Sequence, residues 1–218
     1  MPALSRLRQE NGFTLIELLV ASTCTIIVLG ATVALTSQIQ AGYRRQLENS
    51  AGEQEARYAI EWIGRYLRGA GNNPFNVTES DCPGVDTTFF GIIMNPNGDL
   101  VNDDITIQSD SNPPDGMVGG VSPACDQINE HVTISFDSTN NTIVFLDNAV
   151  GAGATTRTDN VIAGLAFIYL DSARAVTTVQ ANIFYVQTRI TIRTRTVQGA
   201  TGNPDTRVLT REIRVRGR

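Results

Sequence analysis

The chain has 218 residues, of which 41% are apolar and 18% charged, with a formal net charge of −5. That length holds one compact domain with an appendage or two small domains, and the composition excludes a disordered, collagen-like or multi-span membrane chain. All 17 basic residues are Arg, which rules out a Lys nucleophile or Schiff base, and any His-dependent centre would have to use the sole histidine, His131.

Charge is unevenly placed along the chain. Residues 75–160 carry 13 acids and one Arg, a net of −12, whereas residues 161–218 carry nine Arg and three acids, a net of +6. Acidic and basic parts of one domain that solvate and pair with each other account for this, with a polar docking surface or a cation site as the functional reading. No nucleic-acid partner is expected, because the arginines alternate with apolar residues and the pI is about 4.9.

In chain order, residues 1–12 form a short polar leader containing Arg6 and Arg8, and from Leu18 to Tyr43 there is no charge. A membrane-spanning helix needs about 20 apolar residues, so the segment 13–43 is expected to be one. A secretory signal would place its cleavage site after the apolar run. Here the processing signal Glu10-Asn11-Gly12-Phe13 precedes it, so cleavage would leave the helix on the mature chain. The basic leader favours a cytoplasmic N-terminus, with membrane lipid as the first surroundings and the rest of the chain translocated. Glu17 breaks the apolar logic and calls for a partner. A free α-amine on Phe13, one helical turn away, would serve, as would one from a neighbouring subunit; the alternative is a carboxylate that snorkels at the interface.

The segment Gly12-Phe13-Thr14-Leu15-Ile16-Glu17-Leu18-Leu19-Val20 resembles the processing and anchor motif of type IV prepilins and type II secretion pseudopilins. The resemblance implies that a prepilin peptidase cuts between Gly12 and Phe13 and methylates the new amine. It further implies that Glu17 neutralises a Phe13 amine during assembly, and that the helix packs in a filament core with other minor and major pilins or pseudopilins after extraction by an inner-membrane assembly platform.

The helix is expected to run on as an amphipathic continuation over 44–74, with Tyr43, Leu47, Ala51, Tyr58, Trp62 and Tyr66 as its buried stripe. Gly69-Ala70-Gly71-Asn72-Asn73-Pro74 stops it. From Phe13 to Arg68 such a helix would be roughly 84 Å long at 1.5 Å per residue.

Residues 75–218 read as an antiparallel β domain. The expected strands are Thr88 to Met94, Asp104 to Gln108, His131 to Phe136, Thr142 to Asp147, Val161 to Leu170, Tyr185 to Thr196 and Thr206 to Arg216. Alternation sets Val186, Ile190 and Ile192 against Arg189, Arg193 and Arg195, and Leu209, Arg211, Ile213 and Val215 against Glu212, Arg214 and Arg216. One half-buried antiparallel sheet, its apolar face on the long helix, fits this pattern and makes the fold class α+β. His131 is expected at the surface of a strand end.

Further along, Glu61-Trp62-Ile63-Gly64-Arg65-Tyr66-Leu67-Arg68-Gly69-Ala70-Gly71, the strand Asp103 to Ile107, the segment Val161 to Asp171 and the last two strands resemble PilW-like minor pilins and J-type minor pseudopilins. That resemblance implies a pilin-like fold and a structural role.

Cys24 in the anchor reads as a small hydrophobe. Cys82 and Cys125 lie in polar, loop-like sequence, and in an oxidising periplasm they are expected to form a disulfide; the alternative is two free thiols. The stretch Asn95-Pro96-Asn97-Gly98-Asp99 to Asp104 alternates oxygen donors around a glycine like the first half of a hard-cation loop. A structural calcium ion on Asn95, Asn97, Asp99 and Asp103 is the one cofactor that the sequence suggests, against plain turn-forming Asn and Asp. No catalytic constellation is found, and no enzyme is expected.

Two classes of function compete. One is a minor type IV pilin that helps initiate the pilus at or near its tip, with a minor pseudopilin of a type II secretion system as a near variant. The other is a periplasmic enzyme or binding protein that uses the helix only as an anchor.

Overall fold

The computed structural model describes residues 12–78, 88–111, 114–119, 127–148, 153–193 and 206–215. Cys82 and Cys125 lie outside the described residues. One helix, α1 (Leu15–Gly69), is followed by β1 (Ile92–Met94), β2 (Asp104–Gln108), β3 (His131–Asp137), β4 (Thr142–Asp147), β5 (Thr155–Thr156), β6 (Ile162–Leu170), β7 (Tyr185–Arg193) and β8 (Thr206–Arg214). The class is α+β and pilin-like: a long N-terminal helix and antiparallel sheets.

The chain divides into two compact units, Met1–Leu47 and Glu48–Arg218. The described part of the first is helical from Leu15 onward, and none of its side chains is buried. The second contains the rest of α1 and all eight strands.

The single expected sheet is in fact two. A five-stranded sheet has the order β1-β2-β3-β4-β5 and a three-stranded sheet the order β6-β7-β8. All strand pairs are antiparallel, with Ile105 opposite Ile134, Ile134 opposite Phe145, Leu165 opposite Ile190, and Val186 opposite Ile213. The period-two pattern tells which face of a strand is buried but not which strand lies beside it. The break falls after β5, where β6 pairs forward with β7 instead of back. The sheets meet through the Phe167 N–H, which donates to the Asn102 carbonyl at 2.7 Å, and through the Tyr169 hydroxyl, which donates to the Asp104 carbonyl at 3.4 Å.

The buried face of α1 differs from the expected stripe. Tyr58 is 55% exposed, and Tyr43, Leu47 and Ala51 are also exposed; Trp62 is buried and Tyr66 half-buried. The face that enters the core is Gly52, Ala56, Ala59, Ile60, Trp62, Ile63, Gly64 and Leu67. Each step of four residues turns about 40° further around the axis, so a row of four-residue spacings winds off any one face. Small residues mark the true contact. A Cβ on Gly52 would stand 3.1 Å from Ile192 Cγ2, and one on Gly64 3.0 Å from Ile213 Cδ1. Against the other sheet, the Trp62 ring meets Phe145 edge-on at 6.1 Å, and the Tyr66 hydroxyl donates to Asn129 Oδ1 at 2.8 Å.

The helix ends at the glycine cluster read from the sequence. The Gly71 N–H donates to the Gln108 carbonyl at 2.9 Å, and Asn72 bonds Asp110 through both backbone and side chain. This places Gly71 backbone against Gly91, whose φ is +76° and whose added Cβ would lie 2.6 Å from Gly71 Cα. Gly91→Ala should therefore cost at least about 2 kcal/mol in chemical denaturation of the solubilised protein, because the obstruction is backbone and cannot rotate away.

His131 is fully buried, contrary to the surface position expected of it. It begins β3, but β3 is flanked on both sides at that point: Gln108 pairs with His131, Ser109 donates to the Glu130 carbonyl and Asn148 donates to the His131 carbonyl. Burial pushes the imidazole down to about 4 from 6.5. A base whose folded value is depressed costs stability as it is charged, so stability is full above about 6.5 and falls as the pH drops towards 4. Wild type should lose up to about 3 kcal/mol over that window relative to His131→Gln, as read from paired pH-dependent denaturation curves.

Candidate functional site

Gly12, Phe13 and Thr14 precede the first helical residue, so the Gly12–Phe13 peptide bond lies in non-helical backbone. Phe13 is 88% exposed. Among the described residues, no atom lies within 4 Å of a Cβ built on Gly12. Among the described residues, then, a larger side chain at position 12 would meet no obstruction.

The helix starts with a reciprocal cap. Glu17 Oε2 accepts from the Thr14 N–H and from the Thr14 hydroxyl, both at 3.0 Å, while Thr14 Oγ1 accepts from the Glu17 N–H at 3.3 Å. This is a capping box, in which Thr14 is the cap and Glu17 the third helical residue. The sequence carries its signature, Thr-x-x-Glu ahead of an apolar run, and the reading of Glu17 as a partner-seeking acid passed over it. Glu17 therefore has a local role in nucleating the helix as well as a charge to present.

Beyond Glu17 the polar side chains of the apolar stretch turn inward on the helix. The hydroxyls of Ser22, Thr23, Thr25, Thr32, Thr36 and Ser37 each donate to a carbonyl three or four residues earlier, at 2.7–3.1 Å. Their hydrogen bonding is met without water, as an apolar medium demands. Cys24 is a free, exposed thiol on the same stretch. The helix is long and apolar enough to cross a membrane.

The sequence-derived cation residues fall in the connection between β1 and β2. Asn95, Asn97 and Asp99 come together there: Asn97 Nδ2 donates to Asp99 Oδ2 at 3.0 Å, and the Asp99 N–H donates to Asn97 Oδ1 at 3.0 Å. Asp104 joins them, accepting the Asn97 N–H on Oδ2 at 3.1 Å. Asp103 is half-buried, its carbonyl accepting from the Phe136 N–H at 3.2 Å. Burial pushes the Asp104 carboxyl up to about 6, opposed by the Asn97 N–H and reinforced by Asp103 and Asp99. Burial, then the Asp99 charge, raises Asp103 as well. The sequence pattern ran on to Asp104 but named Asp103 as the fourth residue, because alternation along the chain does not tell which of two adjacent acids turns back to the loop.

Residues 7–33 match a protein family described as the prokaryotic N-terminal methylation motif. The matched span contains Gly12, Phe13, Thr14 and Glu17. It supports the type IV pilin and pseudopilin class, in which the N-terminal segment is processed by a prepilin peptidase and serves as a membrane anchor and assembly helix, and so a structural subunit. No curated protein and no solved structure matches the chain.

Gly12→Val should leave the folded domain intact and block maturation. Intact-mass measurement of the membrane-extracted protein should then show a chain retaining its leader of about 12 residues. Processing at the wild-type position in that variant would contradict the assignment of the cut.

Proposed function

We propose that the protein is a minor type IV pilin, stored in the inner membrane with its C-terminal domain in the periplasm, and added at or near the pilus tip to help initiate assembly. The observation that carries this reading is the juxtaposition in one segment of the methylation motif, an uncovered apolar helix and a single acid at Glu17. The apolar surface from Leu15 to Ile39 is far larger than the patches soluble monomers leave open. Lipid covers it before assembly and sibling helices cover it afterwards. Within a bundle of such helices, Glu17 exchanges its local Thr14 donors for the ammonium of a processed Phe13. A minor pseudopilin would use the same physics; adjacent genes for pilus retraction motors, as opposed to a secretion channel, separate the two.

The capping box decides which variants are informative. Glu17→Gln keeps an acceptor for the Thr14 N–H and removes the charge, whereas Glu17→Ala removes both. Glu17→Gln should accumulate in the membrane at the wild-type level yet enter sheared surface filaments at least about tenfold less, as read by quantitative immunoblotting. Wild-type incorporation of the Gln variant would show that the charge is dispensable. An initiator also sets the number of filaments more than their length. Deleting the gene should reduce pili per cell, with the lengths of the remaining pili unchanged in electron micrographs; shorter pili in wild-type numbers would point to elongation instead.

A further inference from the structure

We propose that globular units of this chain dock on one another, the β1–β2 connection around Leu100 of one copy entering a cationic groove between the last turn of α1 and the end of β8 on a second copy.

The groove holds about 550 Å³ and is lined by Arg68, Arg211, Glu212, Ile213 and Arg214. A missing side chain makes room beside it: Arg68 Nη1 and Ile213 Cδ1 stand 3.5 and 3.0 Å from where a Cβ on Gly64 would be. Two of the lining charges are engaged within the chain, Arg211 with Glu61 at 3.8 Å and Glu212 with Arg174 at 3.4 Å. Arg68 and Arg214 are exposed and make no ion pair among the described residues. The groove thus offers two uncompensated cations beside an apolar side chain, which suits an acidic and partly apolar protrusion.

The chain carries such a protrusion. Leu100 is 92% exposed and Val101 is exposed beside it, with Asp99 and Asp103 on either side. Neither acid makes an ion pair among the described residues. The backbone there is fixed: the Leu100 N–H donates to the Asn95 carboxamide oxygen at 2.9 Å, and the Val101 N–H donates to Asp99 Oδ1 at 2.8 Å. A leucine displayed on a fixed backbone has little freedom left to lose on docking.

Charge complementarity names the occupant. Residues 75–160 carry a net charge of −12 and residues 161–218 one of +6. The sequence led us to expect these stretches to pair with each other. Among the described residues they do not: the ion pairs join Glu53 and Glu61 of α1, and Glu212 of β8, to Arg207, Arg211 and Arg174, and none uses an acid from 75–160. Opposite charges that stay apart within one molecule are available to bring two molecules together in a fixed orientation.

The topology puts the two surfaces on opposite sides. The Asn102 carbonyl, at the end of the connection, accepts from the Phe167 N–H of β6; Phe167 pairs with Thr188 of β7, and Thr188 with Arg211 of β8. Protrusion and groove therefore lie in one row at opposite margins of the three-stranded sheet, so a chain does not fill its own groove. A contact that joins opposite margins is heterologous and repeats from copy to copy. Side chains make it, and no strand is added to the free edge of β8. The inference concerns the globular units and does not require the pilin reading.

The test uses the full-length protein in a large excess of detergent micelles, followed by sedimentation velocity up to about 200 μM. Wild type should form dimers and larger species with a Kd of roughly 10–100 μM, weakened at least about threefold when salt rises from about 0.05 to about 0.3 M. Leu100→Arg, which sets a cation against the groove, and Arg214→Glu should each weaken association at least about tenfold. Both should melt within about 2 °C of wild type, because both side chains are exposed. The double variant Leu100→Arg/Arg214→Glu exchanges the charges and should recover to within about threefold of wild type. A monomer at every concentration would overturn the proposal, as would single variants that associate like wild type or a double variant no better than the singles. Loss of binding to phosphatidylglycerol vesicles by Arg214→Glu, with self-association unchanged, would assign the groove to anionic lipid instead.

Discussion

From Leu15 to Ile39 the helix presents exposed Leu, Ile and Val side chains. Apolar surface of that extent is not left in water, and the helix has already met its own polar needs through the capping box at Thr14 and six hydroxyls that bond back to carbonyls. What remains is a smooth rod of hydrocarbon with one carboxylate near its start. Such a rod has two kinds of suitable surroundings, lipid and other rods, and the charge distinguishes them. Among the described residues Glu17 is bonded to Thr14; under the proposed pilin reading, a processed Phe13 amine on a neighbouring rod would give it a cation.

The globular unit uses α1 differently. Between Gly52 and Leu67 the helix contributes small residues where strands press closest and large ones where the sheets leave room. Gly52 faces Ile192 and Gly64 faces Ile213 of the three-stranded sheet, while Trp62 and Tyr66 reach Phe145 of the five-stranded one. Ion pairs of Glu53 with Arg207 and Glu61 with Arg211 join the helix to β8 at the surface and add little energy.

Much of this was legible in the residues, for identifiable reasons. The processing segment, the anchor and the strand cores rest on local patterns: a charge-free run, a Gly-Phe junction and alternation with period two. Leu209, Arg211, Ile213 and Val215 share the less exposed face of their strand, opposite Glu212 and Arg214, as the alternation indicated. Features that depend on distant neighbours did not. Alternation could not reveal that β6 starts a second sheet, and four-residue spacing misplaced the buried side of the helix. His131 looked superficial because it heads its strand, yet chain segments on both sides enclose it. In the β1–β2 connection the sequence supplied Asn95, Asn97 and Asp99, but the buried carboxylate of Asp104 emerged only once the strand folded back over them.

The strand order has a consequence for how such molecules meet. The five-stranded sheet terminates in β1 and β5, of three and two residues, and the three-stranded sheet terminates on one side in β8, which carries Arg207, Arg211 and Arg214. Short or cationic margins are poor templates for adding a foreign strand. Along these three margins, addition of a strand from a neighbouring molecule is therefore disfavoured.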